Sequence, residues 1–182
     1  MSYADLSTFS TALSTEYVDD APTAEDIAWA DSPFNWIRQE APGTKGRIGR
    51  ELARYILESL GIAVGSAGTG LTANTVPIRV KLSLEWGAGA FKFQQIRDEP
   101  FEYVFCLGIY PEGVYGWLIP REDLIVDGVW QERSGLTPQH GGIAGTDTYW
   151  LSVDPANPPG WLSTYGGTLV AFETVLAATL LG

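Results

Sequence analysis

A strictly alternating segment, IRVKLSLEW at residues 78–86, limits the folds open to this chain more than any other feature. Polar and apolar side chains take turns along it, and this period of two is typical of a β-strand with one face toward a core. The polar set is Arg79, Lys81, Ser83 and Glu85, and the apolar set is Val80, Leu82, Leu84 and Trp86. We therefore expect a strand over residues 76–86 with a lysine on its polar face.

The segments that follow predict a sheet around this strand. The run YVFCLGIY at residues 103–110 is apolar without alternation, which indicates a central strand covered on both faces. We expect a central sheet of four or five strands, with further members at residues 91–97, 102–110 and 114–119. Outside it we expect a short strand at residues 62–64, a glycine-rich loop at 65–70 and irregular structure at 127–165.

Two helices are expected to flank the sheet. Residues 46–60 have an amphipathic pattern that ends at Gly61, and residues 167–181 form an apolar helical pattern. The predicted fold class is therefore α/β, with a mixed-sheet core flanked by helices (α+β in its arrangement). We expect residues 1–45 to be a helical N-terminal extension and residues 46–182 to be the main domain, in one compact unit.

The basic residues are concentrated in one part of an acidic chain. The 182 residues carry a formal charge of −11, yet nine basic and four acidic residues between Arg38 and Arg97 give that window a charge of +5. A basic region in an acidic protein is a candidate anion-binding face, and chance clustering on a solvated face is the alternative.

Cysteine, histidine and hydropathy exclude several classes of protein. One cysteine, Cys106, excludes a disulfide framework, and one histidine, His140, excludes a multi-histidine metal site within the chain. No apolar run approaches the ~20 residues that span a bilayer, and the first residues lack the pattern of a signal peptide. We expect a cytoplasmic protein without membrane contact.

Four segments together resemble the restriction-endonuclease-like, or PD-(D/E)XK, superfamily, in particular its uncharacterised members linked to restriction or phage defence. They are KGRIGRELARYILESLG, IRVKLS, FKFQQIRD and YVFCLGIYPEGVYGWLIP. The later segment QHGGIAGTDTYWLSVDPANPPGWL also resembles the C-terminal part of such proteins. The resemblance covers about residues 33–165. It implies a nuclease fold that binds double-stranded DNA, a Mg²⁺ cofactor, Lys81 as a catalytic residue, and a homodimer or a partner nuclease subunit.

The chain departs from the pattern of that superfamily at its acidic positions. The superfamily has a carboxylate two residues before the strand lysine, where this chain has Arg79, and an aspartate near the position of Asn74. Glu51 and Glu85 are the carboxylates left to hold a metal. Because Mg²⁺ requires anionic oxygen ligands, we expect its binding to be weak or absent.

Three functions remain open at this point. The first is a metal-dependent endonuclease that uses Lys81 with Glu51 and Glu85. The second is an inactive nuclease-fold subunit that binds DNA or a partner protein. Its candidate nucleic-acid-binding residues are Arg47, Arg50, Arg54, Arg79, Lys92, Gln95, Arg97 and His140. The third is an acidic α/β interaction module that binds no nucleic acid. For the first two, we expect Arg79, Lys81 and Glu85 to face one polar cleft, opposite Glu51 or Arg50.

Overall fold

Three α-helices and eleven strands form within the residues that the computed structural model describes, which are 1–15, 27–85, 89–139 and 148–182. The helices are α1 (Tyr3–Ser14), α2 (Pro42–Ser59) and α3 (Leu169–Leu180). The strands are β1 (Val64–Ala67), β2 (Gly70–Ala73), β3 (Val76–Leu84), β4 (Phe91–Arg97), β5 (Tyr103–Ile109), β6 (Val114–Pro120), β7 (Ile125–Val126), β8 (Val129–Trp130), β9 (Leu136–Gln139), β10 (Thr148–Val153) and β11 (Gly166–Thr168). Short 3₁₀ helices lie at Ile27–Trp29, Asn35–Gln39, Arg121–Asp123 and Gly160–Tyr165.

The strands build one large mixed sheet and two smaller ones. The large sheet has the order β1-β2-β3-β5-β6-β11, the second sheet has the order β4-β10-β9, and β7 pairs with β8. Strands β3 and β5 run parallel, whereas the other neighbours in the large sheet are antiparallel. The predicted α/β class with a mixed sheet and flanking helices is therefore confirmed.

The two faces of β5 belong to two different cores. Phe105 and Leu107 pack with residues of the three helices, and Val104 and Cys106 pack with residues of the β4-β10-β9 sheet. This alternation explains why the sequence of β5 is apolar at every position, because neither face meets water. The protein thus has three layers, with helices on one face of the large sheet and the small sheet on the other.

Close backbone contacts hold these layers together at two glycines. A Cβ atom at Gly116 of β6 would lie 2.0 Å from Cδ1 of Phe172 on α3. A Cβ atom at Gly108 of β5 would lie 2.6 Å from the ring of Phe91 on β4. In each case a buried aromatic ring occupies the space above a strand, so any side chain there would push the layers apart.

Three strand predictions and the position of the last helix agree with the structure, and several boundaries differ. Strands form at 91–97, within 102–110 and at 114–120, and α3 lies within residues 167–181. Helix α2 begins at Pro42 rather than at residue 46, because proline at the first helical position has a backbone angle already suited to a helix. The expected division between residues 45 and 46 thus falls inside α2. In addition, Leu6 and Leu13 of α1 belong to the same apolar cluster as α2.

Other predictions were wrong because they considered local pattern alone. The segment at residues 91–97 does not join the central sheet, since β4 pairs with β10 near the end of the chain. The glycine-rich segment at 65–70 is not a loop but most of the β1–β2 hairpin, in which Gly68 takes a positive φ. Residues 127–165, expected to be irregular, contain β8, β9 and β10. Among the described residues, no helix is long and apolar enough to cross a membrane.

Candidate anion-binding groove

A groove of about 500 Å³ runs along one edge of β3, between α2 and β4. The edge is open because β2 pairs with β3 only from Val76 to Ile78. Six cationic residues line the groove, namely Arg38, Lys45, Arg50, Arg79, Lys81 and Lys92. Glu85 is the one carboxylate residue among the described residues that line it. Such a concentration of positive charge attracts anions.

Helix α2 forms one wall through a stripe of residues spaced four apart. Pro42, Gly46 and Arg50 line the groove together, as expected for residues on one face of an α-helix. The helix lies very close to the strand, because a Cβ atom at Gly49 would be 2.8 Å from Cβ of Leu82. Its N-cap residue, Ala41, has no side chain that caps the first turn. The positive end of the helix dipole therefore adds to the charge at this wall.

Strand β4 forms the opposite wall of the groove, and two side chains join it to β3. Lys81 Nζ donates a hydrogen bond to the carbonyl oxygen of Gln95, and the Lys92 N–H donates to Ser83 Oγ at 2.9 Å. The first contact depends on a bulge in β4, where the register with β10 shifts and Gln95 has a φ of +55°. The bulge turns the Gln95 carbonyl toward β3, so that Lys81 can reach it.

Burial, and to a lesser extent the nearby positive charge of Arg79, lower the pKa of Lys81 from the usual 10.5 to about 8. The pKa of Lys45 is lowered as well, again mainly by burial. Lys45 Nζ also donates to the carbonyl oxygen of Arg38 at 2.9 Å. Both ammonium groups are thus partly deprived of water, and a bound anion would compensate for that loss.

Other cations in the groove are held in place by neighbouring groups. Arg79 forms an ion pair with Glu99 at 3.0 Å. The Lys92 ammonium lies 4.4 Å from the ring centroid of Trp150, and the Arg38 guanidinium lies 5.3 Å from that of Trp29. The ring contacts position the charges of Lys92 and Arg38, and Glu99 balances the charge of Arg79. Arg50 forms no ion pair with the described residues.

The structure brings together some of the residues that the sequence singled out and separates others. Arg50, Arg79, Lys81, Glu85, Lys92 and Gln95 all line the groove. On α2, Arg50 rather than Glu51 faces it, and Glu51 pairs with Arg54 at 3.6 Å. Arg47, Arg54 and Arg97 are not among the lining residues. His140 lies outside the described residues.

Asn74 has a purely structural position. It forms the turn between β2 and β3, with a φ of +46°. Its Oδ1 accepts a hydrogen bond from the Ala63 N–H at 3.1 Å, and its Nδ2 donates to the Leu180 carbonyl oxygen at 2.8 Å. Asn74 therefore ties the hairpin to the end of α3 and is not among the residues lining the groove.

The groove residues do not fit Mg²⁺, the metal that the sequence resemblance implies. A magnesium ion requires several oxygen ligands in octahedral geometry, and here Glu85 supplies the one lining carboxylate. No group of three or more histidine, cysteine, aspartate or glutamate residues within the described ranges is arranged to hold a metal. The surrounding cations would repel a dication and attract an anion.

Sequence reasoning missed several members of the groove. Arg38 and Lys45 were counted as basic residues and Ser83 was placed on the polar face of the predicted strand, but none of them was assigned to a site. Thr69 and Gln94 were not assigned to a site either. The i, i+4 spacing of Pro42, Gly46 and Arg50 was the available signal for the α2 wall. No local signal showed that the edge of β3 would remain open, because that depends on where β2 ends.

Comparisons of the chain with family models, with curated proteins and with solved structures found no match.

Proposed function

We propose that this protein is a non-catalytic binding module and that its groove binds an anionic polymer. The observation that carries the proposal is that six cationic residues and one carboxylate residue line the groove, and that Glu99, the ion-pair partner of Arg79, lies outside the lining. The partial burial of Lys81 and Lys45 adds support, because an incoming anion restores the stabilisation that these ammonium groups lose on burial.

The same proposal includes descent from a restriction-endonuclease-like fold. It is supported by the strand of Lys81, which pairs in parallel with β5 while α2 lies against it. Cleavage is not part of the proposal, because the groove offers one carboxylate where a metal-dependent phosphodiesterase needs several oxygen ligands. Duplex DNA is the anionic polymer that the resemblance implies, and poly-glutamate presents negative charge without phosphate.

The test is a binding titration with both kinds of polymer. Fluorescence anisotropy would be measured for labelled duplex DNA and labelled poly-glutamate between 50 and 300 mM salt, roughly the range over which charge-driven binding weakens. We expect at least one polymer to bind in a salt-sensitive way. Arg50→Gln should weaken that binding at least about fivefold, since a groove cation is removed.

Arg47→Gln is the matched control, because it removes the same charge from the same helix at a position that does not line the groove. Equal losses in both variants, or no binding of either polymer at low salt, would refute the proposal. DNA incubated with Mg²⁺ or Mn²⁺ should stay intact. Efficient cleavage that Lys81→Ala abolishes would instead identify an active nuclease.

A further inference from the structure

The open edge of β3 presents backbone hydrogen-bonding groups to the groove. The Glu85 N–H donates to the Ile109 carbonyl oxygen, and the Pro77 carbonyl oxygen accepts from the Glu102 N–H, so odd-numbered residues of β3 bond toward β5. The backbone N–H and carbonyl groups of successive residues in a strand point to opposite sides within the plane of the sheet. Those of the even-numbered residues of β3 therefore point away from β5. Ile78, the first of them in this stretch, faces Leu71 of β2. Val80, Leu82 and Leu84 come next and line the groove.

These groups have little to bond to in the part of the chain that the structure describes. Beyond Ile78, no described strand pairs with this edge of β3. The Leu84 carbonyl oxygen accepts a hydrogen bond from Ser83 Oγ at 2.9 Å. No described group bonds the edge-facing N–H and carbonyl groups of Val80 and Leu82. Backbone groups of this kind are nearly always paired in folded proteins, by protein or by water.

We infer that the natural occupant of the groove is an extended acidic peptide, which adds to β3 as a new strand in line with β2. This inference rests on the proposed function, because it names the anionic polymer that the groove binds. An added strand would lie between α2 and β4. Its alternating side chains would face Lys45 and Arg50 on one side and Lys81 and Lys92 on the other.

The backbone pattern favours a peptide over a nucleic acid. A strand edge alternates N–H donors with carbonyl acceptors, and another peptide backbone complements both. A phosphate backbone accepts hydrogen bonds and repels carbonyl oxygens, so it would use only the donors. The open edge spans Val80 to Leu84, which is about 13 Å between the end Cα atoms at the usual rise per residue and suits a peptide of roughly five residues.

The cations also make the edge selective. Exposed strand edges pair indiscriminately unless they are protected, and charged side chains are a common protection. Lys81 and Arg50 would disfavour a neutral or basic strand here, because the partner would leave these charges uncompensated. An acidic strand gains both the backbone pairing and the charge complementarity.

Peptide binding is the first test. Capped seven-residue peptides of alternating glutamate and valine would be compared with peptides in which proline replaces each valine, so that the charge is kept and backbone donors are lost. Calorimetric titration should show at least tenfold tighter binding of the glutamate–valine peptide. In the same samples, amide hydrogen exchange should slow at least tenfold at Val80, Leu82 and Leu84, the residues that face the groove.

A protein variant tests the same edge from the other side. Val80→Pro removes an N–H that points into the groove and not toward β5, a position at which an edge strand tolerates proline. We expect it to abolish the preference for the glutamate–valine peptide, whereas Val80→Thr should retain it. The comparison of peptides on the unaltered protein remains decisive if Val80→Pro fails to fold.

The outcomes separate this inference from the proposed function. Equal binding of both peptides, or binding without slower exchange at the edge, would overturn strand addition and leave a charge-driven groove. Binding of DNA that neither peptide displaces would also overturn it, in favour of nucleic acid. Failure of peptides, poly-glutamate and DNA alike would remove both proposals.

Discussion

Lys81 Nζ donates a hydrogen bond to the Gln95 carbonyl oxygen, and this bond joins two sheets that share no strand pairing among the described residues. The contact requires the left-handed backbone of Gln95, which has a φ of +55°. A lysine that the sequence resemblance marks as catalytic therefore also has a structural partner. Its ammonium group is partly buried beside β4, and we expect that burial to make stability depend on pH.

The first prediction concerns Lys81 and pH. Its pKa is about 8 in the folded protein and near 10.5 in the unfolded chain, so the unfolded chain binds more protons between these values. The contribution of Lys81 to stability should therefore rise with pH across this window. The cost of burying its charge should be fully present below pH 8. The substitution Lys81→Met removes this pH-dependent contribution. We expect it to amount to about 1 kcal/mol in the free energy of unfolding at pH 9.5, after allowance for solvent screening.

Urea unfolding at pH 7 and pH 9.5 measures this difference for both proteins. The unaltered protein should gain more stability, or lose less, on going to the higher pH than Lys81→Met does. Burial raises the pKa of the fully buried Cys106 thiol, and Lys81 lowers it by a smaller amount. Because burial is the larger cause and is present in both proteins, the difference between them reports mainly on Lys81. A larger gain in the variant would show that Lys81 is not buried as described.

The second prediction concerns the contact between β6 and α3. Gly116→Ala places a methyl group where the buried ring of Phe172 lies, and Phe172 also packs edge-to-face on Phe105 with centroids 4.8 Å apart. Because neither ring has room to move freely, we expect a loss of about 3 kcal/mol in the free energy of unfolding. Chemical denaturation followed by circular dichroism would measure it.

Gly46→Ala is the control of opposite sign. Gly46 is exposed on α2, and a Cβ atom there would meet nothing within 4 Å. Alanine is the better helix former, so this variant should gain about 0.5–1 kcal/mol. If both variants changed stability in the same direction, the packing of α3 on β6 would have to differ from the one described.

The third prediction concerns the two-residue turn between β2 and β3. Asn74 and Thr75 both have positive φ, at +46° and +76°, which is the pattern of a type I′ hairpin turn. A β-branched residue is strained in this conformation, and glycine is not. Thr75→Gly should therefore raise the free energy of unfolding by about 1 kcal/mol.

Thr137→Gly provides the contrast, because Thr137 is exposed in β9 and its φ is not positive. There glycine only adds freedom to the unfolded chain, and we expect a loss of about 0.5–1 kcal/mol. Thermal unfolding of the two variants beside the unaltered protein would distinguish them. A loss of stability in Thr75→Gly would contradict the turn assignment.

Features determined by the residues of one segment could be predicted from the sequence, whereas features that depend on distant segments could not. The alternation at residues 78–86 and the apolar run at 103–110 predicted β3 and β5, because burial on one face or on both leaves a direct periodic signal. The pairing of β4 with β10 left no such signal, since its partner lies far along the chain. The alternation within β4 predicts a strand but does not show which sheet it joins.

The candidate groove was predictable in its charge and not in its shape. Counting basic residues located Arg50, Arg79, Lys81 and Lys92 within one region of the sequence. That Arg50 rather than Glu51 faces the groove depends on the rotation of α2, which Gly49 limits through its close approach to Leu82. That the edge of β3 stays open depends on the length of β2, for which sequence gives no rule.

The distance in sequence between β4 and β10 has a consequence for synthesis of the chain. When β4 leaves the ribosome, its partner strand at Thr148–Val153 has not yet been made. At roughly 5–20 residues per second, several seconds pass before the two strands can meet. During that interval Phe91 and Phe93, which end fully buried, lack the sheet that will cover them. During synthesis β4 is therefore an unpaired strand with exposed aromatic side chains, which is a site for aggregation.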